Sequence, residues 1–559
     1  MNKFFKKIDD AFEVYSTSGF RGLKRLIEVK IFRLREARKY KKWIAENDAL
    51  TNEKREKIRQ TISGFPHKPL ISVVMPVYDV DEKWLRSCIE SVLRQLYEKW
   101  ELCIADDASP SPHIRKVLEE YAAKDKRIKL IFRAENGHIS AASNSALELA
   151  TGEFAALLDH DDEISEDALF WVAKEINDFP ESAMFYSDED LIDKKSSRHS
   201  PKFKPDWSRD LFYSLNLITH LSVYQMEIVR RIGGFRIGAE GSQDYDLAMR
   251  VVEQISEDQI RHIPRILYHW RVIRGSVSFS LDEKPYAHER ARDAIREHFE
   301  RTGKKGTVSQ AIINLHRVRY DMSENLPKVS LILSGEKIGN FEEETDYHNL
   351  EMIESKTETA EDLNRAAFDA SGEILCFVNA NLKPLSKDWL AELVSFAYQK
   401  EIGAVGAKLL YTDASVLHAG LIIGASGAVG VAHHRLPRDS AGSFLRARLV
   451  NNFSAVSISC MAVRREVFAS VGGFDAENLR DKFFDADFCL KLREQNYRIV
   501  FTPYAELIQI NEKQRLNIQK DPTVEETNYF VQKWQKFIEN DPFYNPNFSY
   551  KNGDFSINI

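Results

Sequence analysis

Four acids fall within five positions in "FAALLDHDDEIS" (154–165), where Asp159, Asp161, Asp162 and Glu163 follow directly on the apolar Leu157 and Leu158. Like charges crowded together raise the cost of ionising one another. A chain that keeps them at the tip of a hydrophobic strand calls for a cation. Asp161 and Asp162 offer hard oxygen ligands suited to Mg²⁺ or Mn²⁺. An ion held by one or two carboxylates keeps positions open for phosphate oxygens. Capping of the next helix, "SEDALFWVAKEI", accounts for Ser165 and Glu166 but not for Asp159, Asp161 and Asp162 together. A second acidic pair, Asp106 and Asp107, closes the apolar run in "WELCIADDASP".

The elements around these acids alternate. "HKPLISVVMPVYD" is a buried strand, "DEKWLRSCIESVLRQL" an amphipathic helix, "WELCIADD" a strand, "HIRKVLEEYAAKD" a helix and "RIKLIFRAENG" a strand. Strands alternating with helices predict a parallel sheet covered on both faces. Ligands bind at the carboxyl ends of such strands. Asp106, Asp107, Asp159, Asp161 and Asp162 all fall at those ends, which places them in one crevice.

The 559 residues are 43% hydrophobic and 29% charged, with a formal net charge of −7. That is enough for several buried cores and argues against a protein that grips nucleic acid. Residues 1–66 differ, with 17 Lys and Arg against 9 Asp and Glu. In this segment Leu23, Leu26, Ile27, Ile31 and Leu34 recur at helical spacing among basic residues. Such a helix either packs, solvated, on the next domain or rests on an anionic membrane surface. Five scattered cysteines with no CxxC pair read as reduced core thiols of a cytosolic chain. No signal peptide is evident, and "LIIGASGAVGVA" (421–432) falls short of the roughly 20 apolar residues of a spanning helix. The expectation is a soluble or peripheral protein.

The chain repeats itself. "SNSALELATGEFAALLDHD" (143–161) aligns with "LNRAAFDASGEILCFVNAN" (363–381) at an offset of 220, placing Asn144 on Asn364, Gly152 on Gly372, Asp159 on Asn379 and Asp161 on Asn381. "VRRIGGFRIGAEGSQDYDLAMRV" likewise matches "FASVGGFDAENLRDKFFDADFCLKL", whereas "PLISVVMP" matches "PKVSLILS" at an offset of 258. The second copy is therefore 38 residues shorter, in the region where the first keeps "ADDASP".

The ordered set "ISVVMPVYD", "IADDAS", "NGHISAASNSAL", "LLDHDDEIS", "YSDEDLID", "FKPDWSRDLFYSLN" and "GSQDYDLAMR" resembles the family 2 inverting glycosyltransferases. The likeness is strongest to bacterial enzymes of O-antigen and other surface polysaccharides, and covers roughly residues 68–559. It implies an α/β chain of two tandem GT-A domains, Rossmann-like and nucleotide-diphospho-sugar-binding, behind an N-terminal helical segment. The expected divisions are a basic helical segment at 1–66, a catalytic domain at 67–320, a degenerate second domain at 321–515, and a C-terminal helix and tail at 516–559.

Residue by residue, the resemblance implies that Asp106 and Asp107 contact the nucleotide's base and ribose. Asp159, Asp161 and Asp162 occupy the DxD position, with Asp161 and Asp162 nearest the metal and diphosphate. Asp244 in "SQDYD" matches the catalytic base, and Asp246 supports its turn. His269, Trp270 and Arg271 in "LYHWR" match a motif that closes over the diphosphate. Gln243, where the family often has Glu, and His138, where a second Gly is common, are departures. The partners so implied are a nucleotide-sugar donor and a glycan or lipid-linked glycan acceptor. The implied place is the cytoplasm, with peripheral contact at the inner face of the plasma membrane if the basic segment touches lipid.

Other residues admit two readings. Asp188, Glu189 and Asp190 shape the acceptor side or form a polar turn; Lys202 and Lys204 face phosphate or are ordinary exposed lysines. His418, His433 and His434 are read as packing rather than a second metal site, and the aromatics around Trp171 as core. The second copy keeps Asp485 at the base position but has Asn379, Asn381 and Leu382 in place of the acids. It is expected to be non-catalytic, supporting the first copy or holding the acceptor. The rivals are a bifunctional transferase and a carbohydrate-binding scaffold. A nucleotidyltransferase lacks its expected Gly-rich, Lys-bearing phosphate loop.

Overall fold

The computed structural model describes residues 35–272, 285–322, 324–335 and 340–559. The basic positions from Leu23 to Leu34 lie outside them, and so does the expectation of membrane contact there. Among the described residues, no helix is long and apolar enough to cross a membrane.

The first unit is built on β1 (Ile71–Val77), β2 (Trp100–Asp106), β3 (Ile128–Phe132), β4 (Phe154–Leu157), β5 (Glu163–Ile164), β6 (Met184–Ile192), β7 (Arg198–Lys202), β8 (Ser222–Gln225) and β9 (Ile260–Arg271). Their order is β3-β2-β1-β4-β8-β6-β9-β5, with β7 on β6. Strand β1 reads ISVVMPV and is buried at every position, as a central strand covered on both faces must be. Helix Glu82–Leu93 starts at Asp81, whose side chain accepts from Lys83 N, and buries Leu85, Cys88, Ile89 and Val92 on one face.

The sheet differs from the parallel one expected. Strand β8 runs antiparallel to both β4 and β6, so the sheet is mixed. The other long strands, β1–β4, β6 and β9, share one direction. The start of β8 therefore lies at the same edge as their carboxyl ends. That reversal brings residues just before Ser222 to the edge where the acids are.

The second unit repeats this plan. Its strands Leu350–Ser355, Val329–Ser334, Ile374–Asn379, Cys460–Arg464, Ile402–Leu410, Arg498–Gln509 and Leu382–Pro384 are ordered as β2-β1-β4-β8-β6-β9-β5. Ile71 pairs Phe154 in one unit and Val329 pairs Ile374 in the other, reproducing both sequence offsets. Helix Pro112–Lys124 and β3 have no counterpart between Ser355 and helix Ala360–Asp369, which is where most of the shortening of the second copy falls; the rest falls between its first two strands.

Fine contacts recur too. Asn144 grips the backbone of Phe235 through both amide atoms at 2.8 Å, and Asn364 grips Phe474 at 2.9 Å. The glycines before those phenylalanines, Gly234 and Gly473, both have φ +68; a Cβ there would meet the asparagine oxygen at 2.5 and 2.6 Å. Only glycine serves at such a position.

The units share a continuous apolar core in which Tyr186 and Leu247 join Leu331 and Val405. Helix 35–43 lays Trp43 edge-on against Phe203 at 5.2 Å. After helices Val524–Lys533 and Gln535–Glu539, the tail returns to the first unit. There Asn545 donates to Asp188 Oδ2 at 2.9 Å and to Lys204 O at 2.8 Å. All five cysteines are buried and free.

Candidate active site

Asp159, Asp162 and His220 each place one ligand atom within 4.8 Å of the others, the one such grouping of metal-capable side chains found among the described residues. Asp159 and Asp162 follow β4, while His220 lies two residues before the reversed β8. Two carboxylates and a neutral imidazole form a donor set suited to Mn²⁺ and tolerable for Mg²⁺. Burial pushes the His220 imidazole down to about 3, keeping it neutral. Its ring lies flat on Tyr268 with centroids 4.2 Å apart and meets Trp270 edge-on.

Asp162 is fully buried, and both of its oxygens are engaged. Oδ1 accepts from Arg271 N and Oδ2 from the Tyr268 hydroxyl, each at 2.6 Å. Burial first, then Asp161 and Asp159, raise its pKa well above the usual carboxylate range, the hydrogen bonds offsetting part of that. Asp161 lends its carbonyl to Arg271 Nε at 2.7 Å. Arg271 is wholly buried, pairs with Glu163, lies over the Trp84 ring at 4.2 Å and reaches Asp193 O at 3.3 Å. It braces the acid turn from behind.

At the end of β2, Asp106 and Asp107 are buried. Asp106 accepts from Ser109 N at 3.3 Å. Asp107 accepts from Arg133 Nε at 2.8 Å and Gly137 N at 3.0 Å, tying β2 to the start of helix His138–Leu149.

Asp244 sits in the first turn of helix Gln243–Val252, half-buried, and accepts from Asn216 Nδ2 at 2.8 Å. Burial raises its pKa, a shift that hydrogen bonds, including that from Asn216, partly reverse. A carboxylate so placed is a stronger base than a solvated one. Asn216 and His220 lie in one loop: Asn216 O accepts from the Thr219 hydroxyl at 2.6 Å, and Lys204 Nζ donates to the carbonyls of Ile218 at 3.1 Å and His220 at 2.7 Å. Asp246, on the same helix, is buried between Arg236 and Arg250.

The acids of β6 are also engaged. Asp188 accepts from Lys204 N at 2.8 Å and Asn545, and His262 Nε2 lies 2.9 Å away. Glu189 pairs with Lys202 at 2.6 Å and Lys204 at 3.1 Å; burial opposes its ionisation, and the two lysines outweigh it to hold the pKa low. Lys204 is buried rather than exposed, and Lys202 lies over Trp270. Asp190 accepts from Tyr40 of the N-terminal helix and faces His269 Nδ1 and Arg198 Nε, each at 2.6 Å. The strand carrying His269 is thus tied to residues 35–48.

Among its described residues the second unit holds no such cluster. Asn379 and Leu382 stand at the places of Asp159 and Asp162, and pairing of Phe154 with Gln225 and of Ile374 with Arg464 sets Ser459 in step with His220. Asn381 instead clasps the chain at Asn511 and Gln514 with three hydrogen bonds of 2.7–2.8 Å. Asp485 Oδ2 accepts from Ile458 N at 3.0 Å. His418 accepts from Ser457 N, His433 stacks on Phe555 and His434 meets the Tyr411 hydroxyl.

His220, Asn216 and Tyr268 were not singled out by the sequence. Asn216 ends the quoted "FKPDWSRDLFYSLN" and Tyr268 lies in "LYHWR", while His220 follows in "LITHLSV" with no motif around it; its place acquires meaning once β8 is known to run backwards.

Residues 72–233 match the family described as Glycosyl transferase family 2. An uncharacterized protein, y4gI, of Sinorhizobium fredii is 39% identical over 92% of this chain and 61% of its own length. The O-antigen biosynthesis protein RfbC of Myxococcus xanthus is 33% identical over 87% of this chain and 41% of its own. Chondroitin synthase of Escherichia coli is 28% identical over 48% and 38%. The chain thus spans less than two thirds of the length of these relatives.

Proposed function

This chain carries a family 2 glycosyltransferase domain at residues 72–233, and on that premise we propose that it moves a sugar, with inversion, from a nucleotide-sugar donor to a lipid-linked or polysaccharide acceptor in bacterial surface-glycan assembly. The observation that carries the reading is the loop 216–220. One end of it holds Asp244, and the other holds His220 beside Asp159 and Asp162. A base and a cation site joined by one short loop are what a single displacement needs. A binding scaffold needs neither.

Asp159, Asp162 and His220 would hold Mg²⁺ or Mn²⁺, with Asp161 beside them on the diphosphate side. Such an ion supplies Lewis-acid neutralisation of the leaving diphosphate. Asp106 and Asp107 would receive the nucleoside at the end of β2. Asp244 takes the proton of the acceptor hydroxyl as its oxygen attacks the anomeric carbon from the face opposite the nucleotide, so the configuration inverts in one step. His269 and Arg271 hold the strand that backs the acid turn. Asp188 and Asp190 anchor β6 to the tail and to the N-terminal helix, and Glu189, paired with Lys202 and Lys204, would support the acceptor side. With Asn379, Leu382 and Ser459 at the corresponding places, the second unit is read as non-catalytic. The working location is the cytoplasm, at the inner face of the plasma membrane where a lipid-linked acceptor would be met. Metal-dependent release of nucleoside diphosphate from a sugar-nucleotide panel, compared between the wild type and Asp244→Asn, tests this reading.

A further inference from the structure

Among its described residues the second unit lacks the cluster, yet it grips the helix that leads into the His220 loop. Asn452 is 1% exposed and lies in strand Asn451–Asn452 of that unit. Its Oδ1 accepts from Ser208 Oγ at 2.9 Å and Asp210 N at 3.1 Å, and its Nδ2 donates to Asp210 Oδ2 at 2.7 Å. Arg498 Nε donates to the same carboxylate oxygen at 3.1 Å. At the far end of the helix, Ser214 Oγ donates to Val450 O at 2.9 Å.

Helix Arg209–Ser214 has six residues, too few to persist without tertiary contacts. The second unit supplies such contacts at both ends. Two residues beyond the helix, Asn216 meets Asp244, and four further on is His220. A second route runs through the same helix, whose Phe212 carbonyl accepts from the hydroxyl of Tyr245, the neighbour of Asp244.

We propose that Asn452 and Arg498 are positioning residues for the reaction of the first unit, setting helix Arg209–Ser214 and, through it, the loop that presents Asn216 to Asp244 and His220 to the acid turn. The catalytic part of this inference rests on Asp244 being the base. It gives the unit with Asn379, Asn381 and Leu382 in place of the acid turn a role that requires no donor of its own. A misplacement of about 1 Å in a reacting group costs about 100-fold in rate, so a buttress need not touch substrate to matter.

The test uses the full chain in four further forms: Asn452→Ala, Arg498→Ala, Asp244→Asn, and the core variant Val463→Ala as a measure of mere destabilisation. Hydrogen exchange is followed over 209–221 and 243–247. Nucleoside diphosphate release is measured with UDP-glucose, UDP-N-acetylglucosamine and GDP-mannose. Asn452→Ala is expected to speed exchange in both segments about ten-fold with β1–β3 unchanged. It should lower kcat by about 10- to 100-fold with donor KM within about three-fold. Arg498→Ala, which leaves Asp210 without its cation, produces the same two changes, and Val463→Ala does neither. Unchanged exchange over 209–221 in Asn452→Ala, or the same rise in Val463→Ala, overturns the proposal. So does an unchanged kcat in Asn452→Ala when Asp244→Asn is inactive. Full turnover by Asp244→Asn would instead overturn the base assignment, while the exchange data still decide whether Asn452 holds the loop.

Discussion

Tyr268 donates its hydroxyl to Asp162 Oδ2 across 2.6 Å, from the strand that also lays its ring under His220. One side chain thus orients two members of the same cluster. Without an ion, Asp162 is a buried acid with Asp159 and Asp161 beside it, an arrangement that burial and like charge disfavour. Two hydrogen bonds hold it in place at that cost. The second unit, with Leu382 buried at the same place, shows that the strand pattern folds without the acid.

His220→Asn should raise the Mn²⁺ concentration for half-maximal turnover by at least about ten-fold, read from nucleoside diphosphate release against Mn²⁺. An unchanged Mn²⁺ dependence would leave His220 as a stacking partner of Tyr268 alone.

Asp485 is the second unit's counterpart of Asp244, buried and with a raised pKa. Asp485→Asn should leave turnover within about two-fold, whereas Asp244→Asn should lose about 10²- to 10⁴-fold. Equal losses in initial-rate assays would favour two active domains.

Stability should depend on His262. Its buried ring sits between Asp188 at 2.9 Å and Asp206 at 3.0 Å. Burial opposes the charge, but the two carboxylates outweigh it and push the pKa up to about 9 from 6.5. Because the folded value is the higher one, the stabilisation is full below 6.5 and is lost as pH rises through about 9; its size is of order 3 kcal/mol. Thermal unfolding of the wild type should weaken between pH 7 and about 9.5 more steeply than that of His262→Gln. Parallel pH profiles would show that His262 does not set this pH dependence.

The repeat was the most legible feature, because matching residues such as Asn144 and Asn364 make the same bidentate grip in both units. The acids of 159–162 were legible from charge crowding alone. The reversal of β8 was not. Four residues, Ser222–Gln225, carry too little periodicity to give direction, and with direction unknown nothing brought His220 to the acids. The partners of Asp188, Asp190 and Arg271 were hidden for a related reason. Asn545 reaches Asp188 across 357 positions and Tyr40 reaches Asp190 across 150, separations that no local pattern encodes.

Glycosyl transfer is tested most directly by incubating the purified chain with UDP-, GDP- and dTDP-sugars and candidate acceptors, in Mn²⁺ or EDTA, beside Asp162→Asn and Asp244→Asn. Nucleotide binding is followed in the same samples. The expected result is Mn²⁺-dependent nucleoside diphosphate release from one donor, abolished by EDTA and reduced at least about 100-fold in both variants. Release that persists in EDTA or in both variants, or the absence of both release and metal-dependent nucleotide binding, would contradict it.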